Sequence, residues 1–313
     1  MNPTPLPIPL IARLSEAEQA AWLQALQAAM PELPVCWAAD VAWEVRSHIP
    51  VAIVANPDPA ELALFPNLQW VQSLWAGVEG LVATPAKFAI VRMTDPQLAR
   101  SMAEAVLAWT LYLHRDMPRY RAQQAMRVWR PHPLPAQRTV GILGLGYLGR
   151  AAAQSLVQQG FTVCGWSRSP TAIDRVDTWT GPTGLKAVLS RSQILVCLLP
   201  LTESTQGLLN TDTLAWLPAG AALINFARGP ILITEALLPH LETGHLSHAV
   251  LDVFDSEPLP ASSPLWLHPR VTVLPHIAAP THKQTAAQIA AENIRQFLSA
   301  GTIPPSVDRR RSY

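Results

Sequence analysis

Hydrophobic residues in the first third of the chain occur as short runs separated by Pro, Asn and Gly. An apolar run from Pro7 leads to Ser15, and a helical stretch follows through Met30. Ser15 and Glu18 have the spacing of a capping box at the start of that helix. Later apolar runs occupy residues 35–38, 51–55, 68–74 and 88–93. Such runs are typical of parallel strands buried on both faces, so the pattern predicts a parallel α/β unit.

A long helical pattern follows over residues 97–116, and a stretch at 119–129 continues it beyond Pro118. The Pro-rich stretch 131–135 then interrupts it and is a candidate domain boundary. Strand-like runs beyond it occupy residues 139–143, 162–166, 194–199, 221–226, 249–254 and 271–274. Their alternation with helical or turn-rich segments predicts a doubly wound parallel sheet, whose ligands bind at the carboxyl ends of the strands.

The last helical stretch, residues 280–299, is expected to return to the first α/β unit and to make that unit discontinuous. We therefore predict two domains, one formed by residues 1–97 and 281–313 and the other by residues 98–280. A chain of 313 residues has a suitable length for two compact domains.

The composition narrows the class of protein. With 49% hydrophobic and 14% charged residues, the chain is expected to be globular. Its formal net charge is +1, and the basic run at 309–311 stands out by itself, so we expect no nucleic-acid or membrane partner. Three cysteines cannot form a disulfide framework, which favours the cytoplasm. The start of the chain lacks a basic segment and contains prolines, so neither a signal peptide nor a membrane helix is expected.

A glycine motif joins the strand at 139–143 to an amphipathic helix. Its glycines are Gly144, Gly146 and Gly149, with Tyr147 and Leu148 between the last two. In a strand-turn-helix context this spacing allows a tight turn, a close backbone approach to a pyrophosphate, and close packing of helix and strand. The motif predicts dinucleotide binding, and the alternative is a Gly-rich turn that binds nothing.

The next strand ends at Ser167 and Arg168, where an acidic residue normally receives the ribose hydroxyls of NAD. A hydroxyl and a guanidinium can instead bind a 2′-phosphate, so the sequence favours NADPH, with NADH as a weaker alternative cofactor. Arg168 on a solvated surface is the competing interpretation. No metal-binding motif and no nucleophile elbow occur, so no metal is expected.

Five ordered motifs now point to a family: GILGLGYLG, LLPLTESTQGLLN, INFARGP, VLDVFDSEPLP and SPLWLHPRVTVLPHIAA. Together they resemble the D-2-hydroxyacid dehydrogenase family over nearly the whole chain. The resemblance implies a Rossmann-type cofactor domain and a smaller, flavodoxin-like substrate domain, each α/β and doubly wound. It also implies a homodimer formed through the cofactor domain, for which the apolar helix at 97–113 and the Trp-rich stretch 128–130 are candidates.

The resemblance implies a catalytic set of Arg228, Glu257 and His276. Arg228 follows a strand, where a guanidinium can hold the carboxylate and 2-oxo oxygen of a substrate. A protonated His276 can donate the proton that the reduced oxygen needs, and Glu257 favours and orients the imidazolium. Taken without its neighbours, Arg228 reads equally well as an exposed loop charge.

Further site residues are likewise implied by the family. Those near the dinucleotide are Pro200, Thr205, Ala227, Asp252 and Ala278. Thr205 is also a candidate helix N-cap. Those near the substrate carboxylate are Trp75, Ala76, Gly77 and Val78. Trp75 stands where the family usually has Gly, and Glu79 stands where it usually has Asp. The indole of Trp75 either narrows the substrate pocket or packs in the core.

The expected function is NADPH-dependent reduction of small 2-oxo acids such as glyoxylate and hydroxypyruvate. The same catalytic residues suit a dehydrogenase of a larger D-2-hydroxy acid equally well. A different class also stays open, because a related fold serves as a dinucleotide-sensing corepressor, and fold does not by itself determine function.

Overall fold

The computed structural model describes residues 5–85, 87–133 and 136–309. Parts of three predictions lie outside the described residues: the start of the chain at 1–4, the Pro-rich stretch at 134–135, and the basic run at 310–311. Backbone contacts divide the chain into a first unit, residues 1–97 with 281–313, and a second unit, residues 98–280. The Pro-rich stretch is therefore not a domain boundary, because Val106 before it shares a hydrophobic core with Val140 after it.

The described part of the first unit contains a five-stranded parallel sheet in the order β2-β1-β3-β4-β5. Its elements are β1 (Ile8–Ala12), α1 (Glu16–Ala29), β2 (Val35–Trp37), α2 (Trp43–Arg46), β3 (Val51–Ala55), α3 (Pro59–Ala63), β4 (Trp70–Ser73), α4 (Glu79–Val82) and β5 (Ala89–Val91). This is the strand order of flavodoxin-like folds, which confirms that prediction.

The described part of the second unit contains a seven-stranded parallel sheet in the order β12-β11-β10-β9-β6-β7-β8. Its elements are α5 (Pro96–His114), α6 (Met117–Ala125), β6 (Thr139–Leu143), α7 (Tyr147–Gln158), β7 (Thr162–Trp166), β8 (Val176–Trp179), α8 (Gly181–Arg191), β9 (Ile194–Cys197), α9 (Thr211–Ala215), β10 (Ala221–Asn225), α10 (Thr234–Glu242), β11 (Leu246–Leu251) and β12 (Val271–Val273). The order is that of a Rossmann sheet extended by one strand, so the predicted fold class is confirmed. The chain order of the strands reverses between β6 and β9, and their carboxyl ends there mark the ligand site of such a sheet.

Local details differ from the sequence predictions at three places. Strand β8 was not predicted, because an edge strand with alternating half-buried and exposed residues carries no apolar run. Ser15 precedes α1, but its hydroxyl donates to Glu18 rather than capping the backbone, so the capping box is not formed. Helix α6 starts at Met117 and includes Pro118, since proline is tolerated in a first helical turn.

The last helix, α11 (Lys283–Ala300), begins three residues later than predicted and packs in the first unit. Its small residues Ala286 and Ala290, with Ile294, lie in one core with Trp22 and Leu26 of α1. Small side chains let two helices approach closely, which explains the alanine-rich face. No helix in the described ranges has both the length and the apolar character that crossing a bilayer requires.

A buried histidine makes the stability of the second unit depend on pH. His248 on β11 is 5% exposed, and its Nε2 lies 2.9 Å from the Thr272 hydroxyl on β12. Burial, followed by the charges of His268 and Arg121, lowers the pKa of His248 to about 4. Between the usual imidazole value near 6.5 and about 4, the unfolded chain binds a proton that the folded chain does not. Stability is therefore lost as the pH falls through this window.

We expect His248 to reduce the free energy of unfolding by about 2 kcal/mol between pH 7.5 and pH 5. Urea unfolding of the wild type and of His248→Gln at the two pH values measures this contribution. The glutamine variant does not titrate, so its loss of stability on acidification should be smaller by that amount. An equal loss in both proteins would contradict the assignment to His248.

Candidate active site

The glycine turn after β6 has the geometry that a bound pyrophosphate requires. Gly144 has φ +102°, and a Cβ there would lie 2.7 Å from the Leu198 carbonyl oxygen. A Cβ on Gly149 would overlap the carbonyl group of Gly144, so this glycine permits close packing of α7 against the turn. At Gly146 a Cβ would meet nothing within 4 Å, which leaves open space beside the backbone at the start of α7. The residues present therefore fit the phosphates of a dinucleotide.

Two further segments lie at the carboxyl ends of β7 and β9, the two strands that flank β6. Ser167 and the exposed Arg168 directly follow β7, and the Ser167 hydroxyl donates to the Ser169 carbonyl oxygen at 2.7 Å. After β9, the Thr205 hydroxyl donates to the Pro200 carbonyl oxygen at 2.7 Å and closes a turn. No α-helix begins at Thr205 in this described stretch, so the N-cap alternative is wrong.

Tyr147 is partly exposed at the first position of α7, and Leu148 packs against the core that contains β6. The buried Ala227 and the half-buried Ala278 lie in the turns after β10 and β12. The structure thus places each predicted dinucleotide residue of the second unit at the carboxyl edge of the sheet or in a turn that follows it. Their contacts with a dinucleotide stay predictions.

Arg228 lies in a tight turn that follows β10. Its guanidinium is partly buried and donates to the Ala227 carbonyl oxygen at 2.7 Å. A Cβ on Gly229 would overlap the carbonyl group of Phe254, so the Arg228 turn packs directly against the segment that leads to Glu257. Only a residue without a side chain permits that contact.

Glu257 and His276 come together, as the resemblance implied. The Glu257 Oε2 atom lies 2.7 Å from the Nδ1 atom of His276, and its Oε1 atom accepts from the Phe254 amide at 3.0 Å. His276 has φ +54°, and both side chains are partly exposed. The carboxylate thus orients the ring through Nδ1, which directs Nε2 away from Glu257.

Asp252 follows β11 and is 2% exposed. Its Oδ1 accepts from the Ile277 amide at 2.7 Å and its Oδ2 accepts from the Ala278 amide at 2.8 Å. Burial raises the pKa of Asp252, while these two hydrogen bonds and the charge of His276 oppose the rise. In this structure Asp252 fixes the turn that carries His276, and its predicted contact with the cofactor stays a prediction.

The predicted carboxylate loop lies in the first unit, between β4 and α4. Trp75 packs partly buried against the core of that unit, with its ring 5.6 Å from that of Trp22 in an edge-to-face arrangement. This contact favours the core-packing alternative for the indole. Ala76 and Gly77 are half-buried, and Val78 is the buried N-cap residue of α4. Binding of a carboxylate by this loop stays a prediction.

Two residues beside the predicted catalytic residues were not identified from the sequence. Asn225 ends β10 fully buried and hydrogen-bonds both sides of the Arg228 turn. Gly229 allows that turn to contact Phe254. The sequence offered two signals that could have identified these residues. One is an asparagine that ends an apolar run, and the other is a glycine next to a candidate catalytic arginine.

Comparison with known proteins identifies the family. The family model described as D-isomer specific 2-hydroxyacid dehydrogenase, NAD binding domain, matches residues 107–278. A glyoxylate/hydroxypyruvate reductase A of Serratia proteamaculans (strain 568) is 40% identical over 299 residues, which cover 91% of this chain and 93% of that protein. The chain therefore belongs to the D-isomer specific 2-hydroxyacid dehydrogenase family.

Solved structures agree with this assignment. A D-isomer specific 2-hydroxyacid dehydrogenase from Xanthobacter autotrophicus Py2, in complex with NADPH and MES, has a TM-score of 0.90 and 39% identity, covering 97% of this chain and 99% of that one. An NADPH-dependent glyoxylate/hydroxypyruvate reductase from Sinorhizobium meliloti, in complex with NADP and sulfate, has a TM-score of 0.90 and 34% identity, covering 98% and 99%. The protein is an NAD(P)-dependent oxidoreductase of this family.

Proposed function

We propose that this protein reduces glyoxylate and hydroxypyruvate to the corresponding 2-hydroxy acids with NADPH. The observation that carries the proposal is the pairing of Glu257 with Nδ1 of His276, which forms an oriented acid at the carboxyl edge of a dinucleotide-binding sheet. Relatives named glyoxylate/hydroxypyruvate reductase A support the substrate class. Structural neighbours in complex with NADPH or NADP support the cofactor.

The proposed roles follow from the chemistry of each side chain. The reduced nicotinamide, when bound, supplies the hydride. Arg228 holds the substrate carboxylate and the 2-oxo oxygen by charge-assisted hydrogen bonds, and its positive charge stabilises the alkoxide as it develops. His276 donates a proton from Nε2 to that oxygen, since Nδ1 is engaged by Glu257. Trp75 to Val78 contribute the loop proposed to receive the carboxylate.

A steady-state assay of NADPH oxidation with a panel of 2-oxo acids tests the function. We expect the highest kcat/KM with glyoxylate or hydroxypyruvate. A preference for bulkier 2-oxo acids would identify a dehydrogenase of a larger 2-hydroxy acid instead. Dinucleotide binding without turnover of any acid would favour the corepressor-like alternative.

The preference for NADPH is proposed to rest on Ser167 and Arg168. Arg168→Ala should raise the KM for NADPH roughly tenfold and change the KM for NADH much less, because charge-assisted hydrogen bonds to the 2′-phosphate are lost. Arg191→Ala is a suitable control, since Arg191 is an exposed arginine of the same unit that pairs with Asp177. Equal changes for the two cofactors, or a wild type that prefers NADH, would refute the assignment.

We also propose a homodimer formed through the second unit. An exposed apolar stretch after α6 supports it: Met126 is 65%, Val128 45% and Trp129 100% exposed. Burial of such surface drives association of protein subunits. A cytoplasmic location is proposed from Cys36, Cys164 and Cys197, all of which are free thiols.

A further inference from the structure

Two polar side chains are buried where adjacent strands of the second unit end. Asn225 is the last residue of β10 and is 0% exposed, and Asp252 follows β11 and is 2% exposed. The Asp252 amide donates to the Asn225 carbonyl oxygen at 3.1 Å, so the two residues are neighbours across the sheet. Burying a polar group costs free energy unless it is hydrogen-bonded. Each of these two side chains forms its hydrogen bonds with a different turn.

Asn225 uses both functions of its amide on the Arg228 turn. Its Oδ1 accepts from the Ala227 amide at 3.2 Å, and its Nδ2 donates to the Arg228 carbonyl oxygen at 3.3 Å. The side chain therefore holds the backbone on both sides of the Ala227–Arg228 peptide. An aspartate of the same shape would place an oxygen against the Arg228 carbonyl oxygen, which repels it.

Asp252 needs the opposite chemistry, because it faces two donors. Both carboxylate oxygens accept from the successive amides of Ile277 and Ala278. The residue before them, His276, has φ +54°, a strained conformation for a residue other than glycine, which persists only where its surroundings hold it. An asparagine at 252 would place its NH₂ group against one of these backbone N–H groups. One of the two hydrogen bonds that fix the turn would then be lost.

We propose that Asn225 and Asp252 are positioning residues for two different side chains. Asn225 positions the substrate-binding Arg228, and Asp252 positions the proton donor His276. The inference rests on the proposed function for the roles of Arg228 and His276. Neither Asn225 nor Asp252 is assigned to the chemical step itself.

Two isosteric variants test whether Asn225 and Asp252 position different residues. In Asn225→Asp, we expect the KM for glyoxylate to rise roughly tenfold, with little change in the NADPH dissociation constant. In Asp252→Asn, we expect kcat to fall by up to about 10²-fold, with a smaller change in the KM for glyoxylate, since a catalytic group displaced by about 1 Å can cost that much. A residue that only stabilises the fold would give the same kinetic pattern in both variants.

Hydrogen exchange gives a readout that does not depend on turnover. The amides of Ile277 and Ala278 should exchange faster in Asp252→Asn and not in Asn225→Asp, because only the first variant changes their acceptor. If Asp252→Asn does not fold, Asp252→Ser retains an acceptor oxygen in a smaller side chain and serves the same measurement. NADPH affinity of each variant, measured by fluorescence titration, reports separately on the dinucleotide.

The double variant Asn225→Asp/Asp252→Asn separates geometry from charge, because it keeps one carboxylate at this sheet edge. We expect the double variant to show both defects. Recovery of activity in it would overturn the proposal in favour of a requirement for negative charge. A weakened NADPH affinity with normal kcat in Asp252→Asn would overturn it in favour of a cofactor contact. A wild type that reduces no 2-oxo acid would instead refute the proposed function, while the exchange pattern would still test the positioning.

Discussion

Replacing His276 is expected to lower kcat for glyoxylate reduction by roughly 10²- to 10⁴-fold, the range typical of general acid catalysis. His276→Asn is the sharpest variant, because asparagine tolerates the positive φ of this residue and supplies no comparable acid. The affinity for NADPH, measured by fluorescence titration, should stay close to that of the wild type, since the imidazole acts on the substrate. A loss of only a few-fold would mean that another group supplies the proton.

The partner of His276 provides an independent control on this prediction. In Glu257→Gln the carboxylate beside Nδ1 becomes a neutral amide, so the protonated ring loses a charge-assisted hydrogen bond that orients it. We therefore expect kcat for glyoxylate to fall in this variant, while the affinity for NADPH stays close to that of the wild type. An unchanged kcat would disprove the coupling even if His276 proved essential.

Arg228→Lys should lower kcat/KM for glyoxylate by roughly 10²- to 10³-fold, comparable to the loss of an oxyanion-stabilising donor. Lysine retains the positive charge, but its ammonium is a point donor and cannot reproduce the planar, forked geometry of a guanidinium. Because Arg228 also donates to the Ala227 carbonyl oxygen, a shorter reach would disturb the turn as well.

Arg270→Lys is the matched control for this substitution. Arg270 also donates to a backbone carbonyl oxygen, that of Leu241 at 2.7 Å, in the same unit. Its replacement should leave kcat/KM within about twofold of the wild type, because Arg270 is a half-buried residue outside the proposed site. Near-normal kcat/KM in Arg228→Lys, with the control also normal, would remove Arg228 from the proposed mechanism.

Features that depend on local sequence were predicted well from the chain alone. Buried parallel strands require continuous apolar runs, so the strands of the first unit and most of those of the second were identified with small errors at their ends. The rule that ligands bind at the carboxyl ends of such strands placed Arg228, Glu257 and His276 at one edge of the sheet. The glycine turn is likewise a local requirement, since each glycine is needed where a Cβ would collide or where the backbone must stay open.

The tertiary structure decided what depends on contacts between distant segments. The amides of Ile277 and Ala278 donate hydrogen bonds to Asp252, and Gly229 lies against Phe254. The spacing of these residues along the chain predicts neither contact. Edge strand β8 exists because β7 pairs with it, not because its own residues are apolar. Thus the sequence determined the fold class and the dinucleotide turn, because periodicity and glycine sterics act locally, and its resemblance to a known family supplied the candidate catalytic residues. Tertiary packing decided which backbone turns carry those residues and what holds them, because hydrogen bonds between segments form only once the sheet has brought the strand ends together.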